Sequence, residues 1–171
     1  ALGAGRDGRL AALIHTGVTP KTRDNAFPEP FIMPTRSAYA AGAMLLDVET
    51  VELDMLSNTF MRAPGEAVGT FALESAMDEL AEALGLDPIE VRLRNEPEKD
   101  PVSGLPFSSR HIAEAWQAGA ERFGWDRREP VPGRRREGEW LLGLGCATGT
   151  YPYYRMPGGA ARITLTADGR A

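Results

Sequence analysis

The sequence predicts an α+β fold in which strands carry a cluster of two or three helices packed on one face, a two-layer sandwich. Three observations lead there. Apolar, β-prone runs lie toward both ends of the chain, at 10–16 and 161–166. Helical periodicity is confined to the stretch from Leu73 to Phe123. The helices are therefore grouped, and the strand–helix alternation of a doubly wound sheet is missing.

The elements follow in order. In the opening ALGAGRDGRLAALIHTG, Asp7-Gly8 marks a tight hairpin turn between a short strand and a second strand, Leu10 to Thr16. Thr16 to Arg36 holds four prolines in 21 residues without a period and is expected to be an extended loop. Ala43 to Met55 alternates in part through Leu46, Val48, Val51 and Leu53, the mark of one or two strands. Leu73, Met77, Leu80 and Leu84 then recur at helical spacing, with Glu74, Asp78 and Glu82 on another face. Gly85 stops that helix. Asp87 caps the next, with Pro88 at its first position and Glu90 completing a capping box.

After the Pro-rich stretch Glu96 to Phe107, a third helix is expected to be capped at Ser108 or Ser109 and to end at Gly124. It should bury Ile112, Trp116 and Phe123. Arg127 to Glu139 (RREPVPGRRREGE) has the composition of a linker. Glycine-rich strands are expected from Trp140 to Thr166, followed by a turn at Asp168-Gly169. Three parts result: 1–126, a strand-loop-helix part; 127–139, a charged linker; and 140–171, the start of a further β-rich part. A hairpin needs two strands, and both ends look cut within one, so the chain is expected to be a piece of a longer protein.

Composition excludes several function classes. At 171 residues with 43% hydrophobic side chains, a core can form without disulfides or metal. With 19 Lys+Arg against 24 Asp+Glu the net charge is −5, which rules out the basic footprint of a nucleic-acid binder. Cys146 is the only cysteine, so no internal disulfide or thiolate zinc cage is possible. No apolar run approaches the roughly 20 residues of a membrane span.

Most apparent motifs have structural explanations. Gly3, Gly5 and Gly8 match the letters of a dinucleotide fingerprint, but a strand follows where a helix should open. Gly143-Leu144-Gly145 is a near miss, read as a glycine-rich strand. His15 and His111 have no ligand spacing, and no G-x-S-x-G elbow presents a nucleophile. Cys146 sits in LLGLGCATG without basic neighbours, which suits a small buried hydrophobe. Arg134, Arg135 and Arg136 are interleaved with glutamates, as in a solvated linker.

The loop Met61-Arg62-Ala63-Pro64-Gly65 has two readings. Pro64 fixes its own φ and restricts Ala63, while Gly65 permits close backbone approach ahead of a helix N-terminus. It either presents the Arg62 and Ala63 amides to an anion or oxo group, or serves only as a helix-entry device. Glu66, in the first turn, argues against a plain phosphate cradle.

The run NTFMRAPGEAVGTFALESAMDELAEALGLDPIEVRLRN, Asn58 to Asn95, strongly resembles the molybdopterin-binding large subunit of the xanthine dehydrogenase and aldehyde oxidase family. MRAPGEA is typical of its bacterial aldehyde dehydrogenase-like branch. The likeness continues through GLPFS, Phe123-Gly124-Trp125 and the opening GRDGRL, so essentially the whole chain is covered.

The resemblance implies an internal fragment of a molybdenum hydroxylase, an oxidoreductase acting on aldehydes or N-heterocycles with water as oxygen source. It carries over Arg62 and Ala63 alone as cofactor contacts; no catalytic residue and no metal ligand is expected in this chain, and Glu66, Glu74 and Glu79 are not its base. Pro64 stands where some relatives place a ring-stacking aromatic, which leans the reading toward aldehydes. The implied cofactor is a molybdenum–molybdopterin, not held tightly by the fragment, which is expected to be inactive alone. The implied partners are the rest of the large subunit, iron–sulfur and flavin subunits or domains, and the substrate. Pairing of two copies through exposed faces is a further expectation; nucleic acid and membrane are not. The alternative is a non-catalytic α+β interaction module related to this family.

Overall fold

The computed structural model describes residues 1–24, 27–57, 59, 61–151 and 158–170. Its main sheet has the order β1-β2-β3, from Leu2–Ala4, Leu10–Lys21 and Ala43–Glu52. β1 and β2 are antiparallel across the Asp7-Gly8 turn, where Gly8 adopts φ 81° and its N–H reaches the Gly5 carbonyl at 2.9 Å. β2 and β3 are parallel over ten residue pairs, from Ala12↔Ala43 to Lys21↔Glu52. The return between them contains one short helix, α1 (Thr35–Ala38).

The helical layer is α2 (Glu66–Leu84), α3 (Pro88–Arg94) and α4 (Ile112–Phe123). Gly85 and Gly124 end α2 and α4 in the left-handed conformation, as their sequence positions predict. Leu10 and Leu13 of β2 pack with Ala38 and Tyr39 against Leu73, Met77 and Ala81 of α2 and Val91 of α3. Each fully buried side chain of that size contributes about 1.5–3 kcal/mol. The predicted α+β two-layer arrangement is thus observed.

Two polar anchors tie the layers together. Asn95 accepts the Leu10 N–H through Oδ1 and donates through Nδ2 to the Gly8 and Val91 carbonyls, all at 2.8 Å, which pins the first hairpin to the end of α3. Arg92 has a fully buried side chain between Glu74 Oε2 at 2.8 Å and Asp78 Oδ1 at 2.9 Å. Burial alone would lower its pKa, but the surrounding acidic groups, Glu74 foremost, together outweigh this and hold the guanidinium above its ordinary range. Tyr39 donates to Glu74 Oε1 at 2.6 Å; burial first, and then the Glu74 charge, push its phenol well above 10.

Several sequence expectations are corrected. β2 runs on to Lys21, through Pro20, so the extended loop begins later than Thr16. Beyond Ile14, which exchanges backbone hydrogen bonds with Ala1, β3 is the one strand paired with β2, and an open edge tolerates a residue without N–H. Only half of the capping box forms: Asp87 Oδ1 accepts the Ile89 and Glu90 N–H groups, but the Glu90 carboxylate turns to Arg94. α4 starts after His111 with no side-chain cap, not from Ser108 or Ser109. Its predicted apolar face is not buried: Ile112 and Trp116 are half-covered, and Phe123 is 56% exposed. The only strands found after Arg127 among the described residues are the two-residue pair β4 (Arg136–Glu137) and β5 (Trp140–Leu141). Residues 161–166 are exposed and form no strand, although Gly169 makes the predicted turn, its N–H bonding to the Thr166 carbonyl at 2.9 Å.

Candidate cofactor-binding loop

Helix α2 begins where three close approaches coincide. A Cβ on Gly65, which has φ 83°, would lie 2.4 Å from the Pro30 carbonyl carbon, and one on Gly69 only 1.7 Å from the Phe31 carbonyl oxygen. One on Gly17 of β2 would lie 2.9 Å from the Phe31 ring. Pro30-Phe31 is therefore clamped between the sheet and the start of α2, where a side chain at 65 or 69 would run into its backbone and one at 17 would press on the Phe31 ring. Phe31 also packs near His15, ring centroids 5.4 Å apart, while His15 Nδ1 meets Thr35 Oγ1 at 2.7 Å. Burial lowers the His15 pKa, so it stays neutral at pH 7.

The clamp brings Glu29 to the helix end. Its Oε1 accepts the Gly65 N–H at 2.5 Å, and its own N–H donates to Thr19 Oγ1 at 3.1 Å. Glu29 is thus the cap of α2, supplied from 36 residues upstream. No local spacing announces it, which is why sequence reasoning missed it.

Ahead of the helix, Ala63 adopts φ 59°, the only positive φ at a non-glycine among the described residues. A side chain in that region is held there by its surroundings at a cost of order 1–3 kcal/mol. Among the described residues, neither the Arg62 nor the Ala63 amide donates a hydrogen bond, and Arg62 has no ion-pair partner. Arg62 is exposed and Ala63 half-buried. Immediately after the loop, Glu66 is only 5% exposed and its Oε2 has no hydrogen-bond partner. Free amides and an orphaned acceptor at one helix end fit a bound group that offers both an acceptor and a donor.

Of the remaining candidates, Gly8 is a turn residue and His111 is exposed beside Glu114, as expected, whereas Gly143 and Gly145 lie in no strand and Cys146 has Arg92 among its charged neighbours. Among the described residues no His/Cys/Asp/Glu group could hold a metal ion. No helix among them is long and apolar enough to cross a membrane. Cys146 is half-buried; burial, with nearby acids opposing Arg92, pushes its thiol up to about 11. Asn58 and Phe60 of the central run, and 152–157 beyond Tyr151, lie outside the described residues.

Comparison with known proteins says to which family this open sheet, its helical layer and the left-handed loop before its longest helix belong. Residues 1–96 match the family model of the molybdopterin cofactor-binding domain, and the chain belongs to that family. It is 36% identical over 169 residues to the aldehyde oxidoreductase molybdenum-binding subunit PaoC of Escherichia coli K12, covering 98% of this chain and 23% of that protein. It is 32% identical over 141 residues to a putative xanthine dehydrogenase molybdenum-binding subunit, XdhA, of the same organism, covering 78% of this chain and 18% of that one. The chain therefore spans about a quarter or less of these relatives. An aldehyde oxidoreductase from Desulfovibrio desulfuricans shares the fold over 74% of this chain and 15% of its own, with TM-score 0.62 and 22% identity. A quinoline 2-oxidoreductase from Pseudomonas putida does so over 73% and 17%, with TM-score 0.62 and 20% identity.

Proposed function

We propose that this chain is part of the large subunit of a molybdenum-dependent oxidoreductase that oxidises aldehydes, with N-heterocycles as the less favoured substrate class. The observation that carries this is the Arg62–Gly65 loop, with its free amides and left-handed Ala63, inside the family match. In this reading the Arg62 and Ala63 backbone holds the cofactor, and the Glu29 cap and the Pro30-Phe31 clamp fix the loop before anything binds. When bound, the molybdopterin group supplies the oxidation, converting aldehyde and water to acid with release of two electrons and two protons. The chain's own part is to hold and orient the cofactor. Pro64 leaves no ring against which a heterocycle would stack, and the aldehyde preference rests on that.

The three-part division remains our reading: 1–126 as the strand-loop-helix part of the molybdopterin-binding region, 127–139 as the linker, and 140–171 as the start of a further β-rich part. The exposed apolar side chains Ile14, Val18 and Leu45 on the sheet, and Phe71 on α2, support a partner surface for the rest of the subunit. Iron–sulfur and flavin subunits or domains complete the electron path in this proposal. On its own the 171-residue chain binds no molybdenum tightly, turns over no substrate, and pairs through those faces.

Molybdenum analysis, with aldehyde-dependent dye reduction, tests this on the full-length subunit and on the 171 residues. The expected result is stoichiometric metal and turnover in the former only. Ala63→Pro, which removes one amide and forbids φ 59°, should lower molybdenum content in the full-length subunit. A full-length subunit free of molybdenum, or metal and activity in the short chain, overturns the corresponding half of the proposal.

A further inference from the structure

Glu66 is the exception to the satisfied polar interior of this domain. Both oxygens of Glu74 are paired, to Tyr39, Arg92 and the Thr148 N–H. Arg92 is paired through all three nitrogens. Glu66 Oε2 is the only buried side-chain oxygen or nitrogen among the described residues with no partner. A buried acceptor left without its bond costs the fold its desolvation.

Position narrows what would complete it. Glu66 opens α2 directly after the Arg62–Gly65 loop and shares the buried stripe of Gly69, Leu73 and Met77. At the same helix end Glu29 already accepts the Gly65 N–H. Two carboxylates thus meet the positive pole of α2, so a phosphate or carboxylate arriving there would face like charge. The missing partner is a donor.

We propose that Glu66 is the acceptor for an N–H or O–H of the molecule held at the Arg62–Gly65 loop, so that the loop amides and Glu66 together select an uncharged edge carrying an acceptor beside a donor. This rests on the reading of the loop as a cofactor site. The edge belongs either to the pterin or to a substrate bearing N–H or O–H, and the two sources give different readouts.

In the full-length, cofactor-loaded subunit, Glu66→Ala and Glu66→Gln are compared with the parent. The measurements are molybdenum and pterin per polypeptide, KM and kcat, and the melting of the cofactor-free form. Isotope-edited infrared difference spectra follow the carboxylate stretch on cofactor loading and on substrate addition. If the pterin is the donor, Glu66→Ala loses fivefold or more of its molybdenum. If the substrate is the donor, occupancy stays within twofold while KM rises tenfold or more and kcat stays within twofold. In each case a carboxylate band that is absent from Glu66→Gln shifts on adding that molecule. The cofactor-free variants melt no lower than the parent, since the orphaned acceptor contributed nothing to them. Occupancy and KM both within twofold, a band that moves with neither addition, or cofactor-free variants that melt lower in proportion to their loss all overturn the inference. A parent subunit that takes up no molybdenum overturns the loop reading itself, and the inference with it.

Discussion

The carboxylate of Glu74, in the middle of α2, accepts the backbone N–H of Thr148 at 2.8 Å across 74 residues of sequence. The Thr148 hydroxyl lies 2.9 Å from the Tyr39 oxygen and donates to it, since the single Tyr39 proton goes to Glu74, and Thr150 donates to the Pro34 carbonyl at 3.2 Å. A stretch with no regular structure is thereby fastened onto the helical layer by polar bonds to buried groups. Because Glu74 also pairs with Arg92, the clip and the core share one carboxylate.

Glu74→Ala leaves the buried Arg92 with the half-exposed Asp78 as its one remaining carboxylate, and should cost about 3–5 kcal/mol. Thr148→Val keeps the N–H and removes only the hydroxyl, and should cost about 1 kcal/mol. Denaturant unfolding of the two variants checks both the sizes and their order.

Gly69→Ala should destabilise although it improves helix propensity. Its Cβ would lie 1.7 Å from the Phe31 carbonyl oxygen, so the clamp must open, at about 1–3 kcal/mol. Gly119→Ala, in α4 with nothing within 4 Å of the new Cβ, should stabilise by about 0.5–1 kcal/mol. Opposite signs for two helical Gly→Ala changes in thermal melts are the expected result.

Cys146 should resist alkylation at neutral pH, because its thiol is pushed up to about 11. The rate with iodoacetamide should climb through pH 9 to 11 in the native state and near pH 8.5 when unfolded. A pKa raised on folding contributes stability that is present below the unfolded value and lost as pH rises through the folded one. Cys146→Ser should therefore flatten the alkaline fall in stability.

His15 carries the opposite sign. Its lowered pKa means the unfolded chain binds the proton more readily, so its contribution is present above about pH 6.5 and is lost as pH falls below that. Stability measured between pH 7.5 and 5 should fall less steeply in His15→Gln than in the parent.

The elements that sequence reasoning located are those with local causes. Gly85 and Gly124 end helices because a left-handed residue must, and Asp87-Pro88 starts one because its side chain reaches two amides a turn away. Asp7-Gly8 turns the first hairpin for the same kind of reason. The α4 face and the strands from Trp140 to Thr166 were misjudged because apolar periodicity states only which residues can be buried; what lies opposite is decided elsewhere in the chain.

The candidate site divides in the same way. The Arg62–Gly65 loop and its family likeness are written in consecutive residues, so the sequence alone determined them. The cap of α2 by Glu29, the clamp of Phe31 between Gly17 and Gly69, and the unpaired Glu66 Oε2 join positions up to 52 residues apart. Only the tertiary structure decided these, because hydrogen bonding and steric exclusion act over a few ångströms of space whatever the distance along the chain.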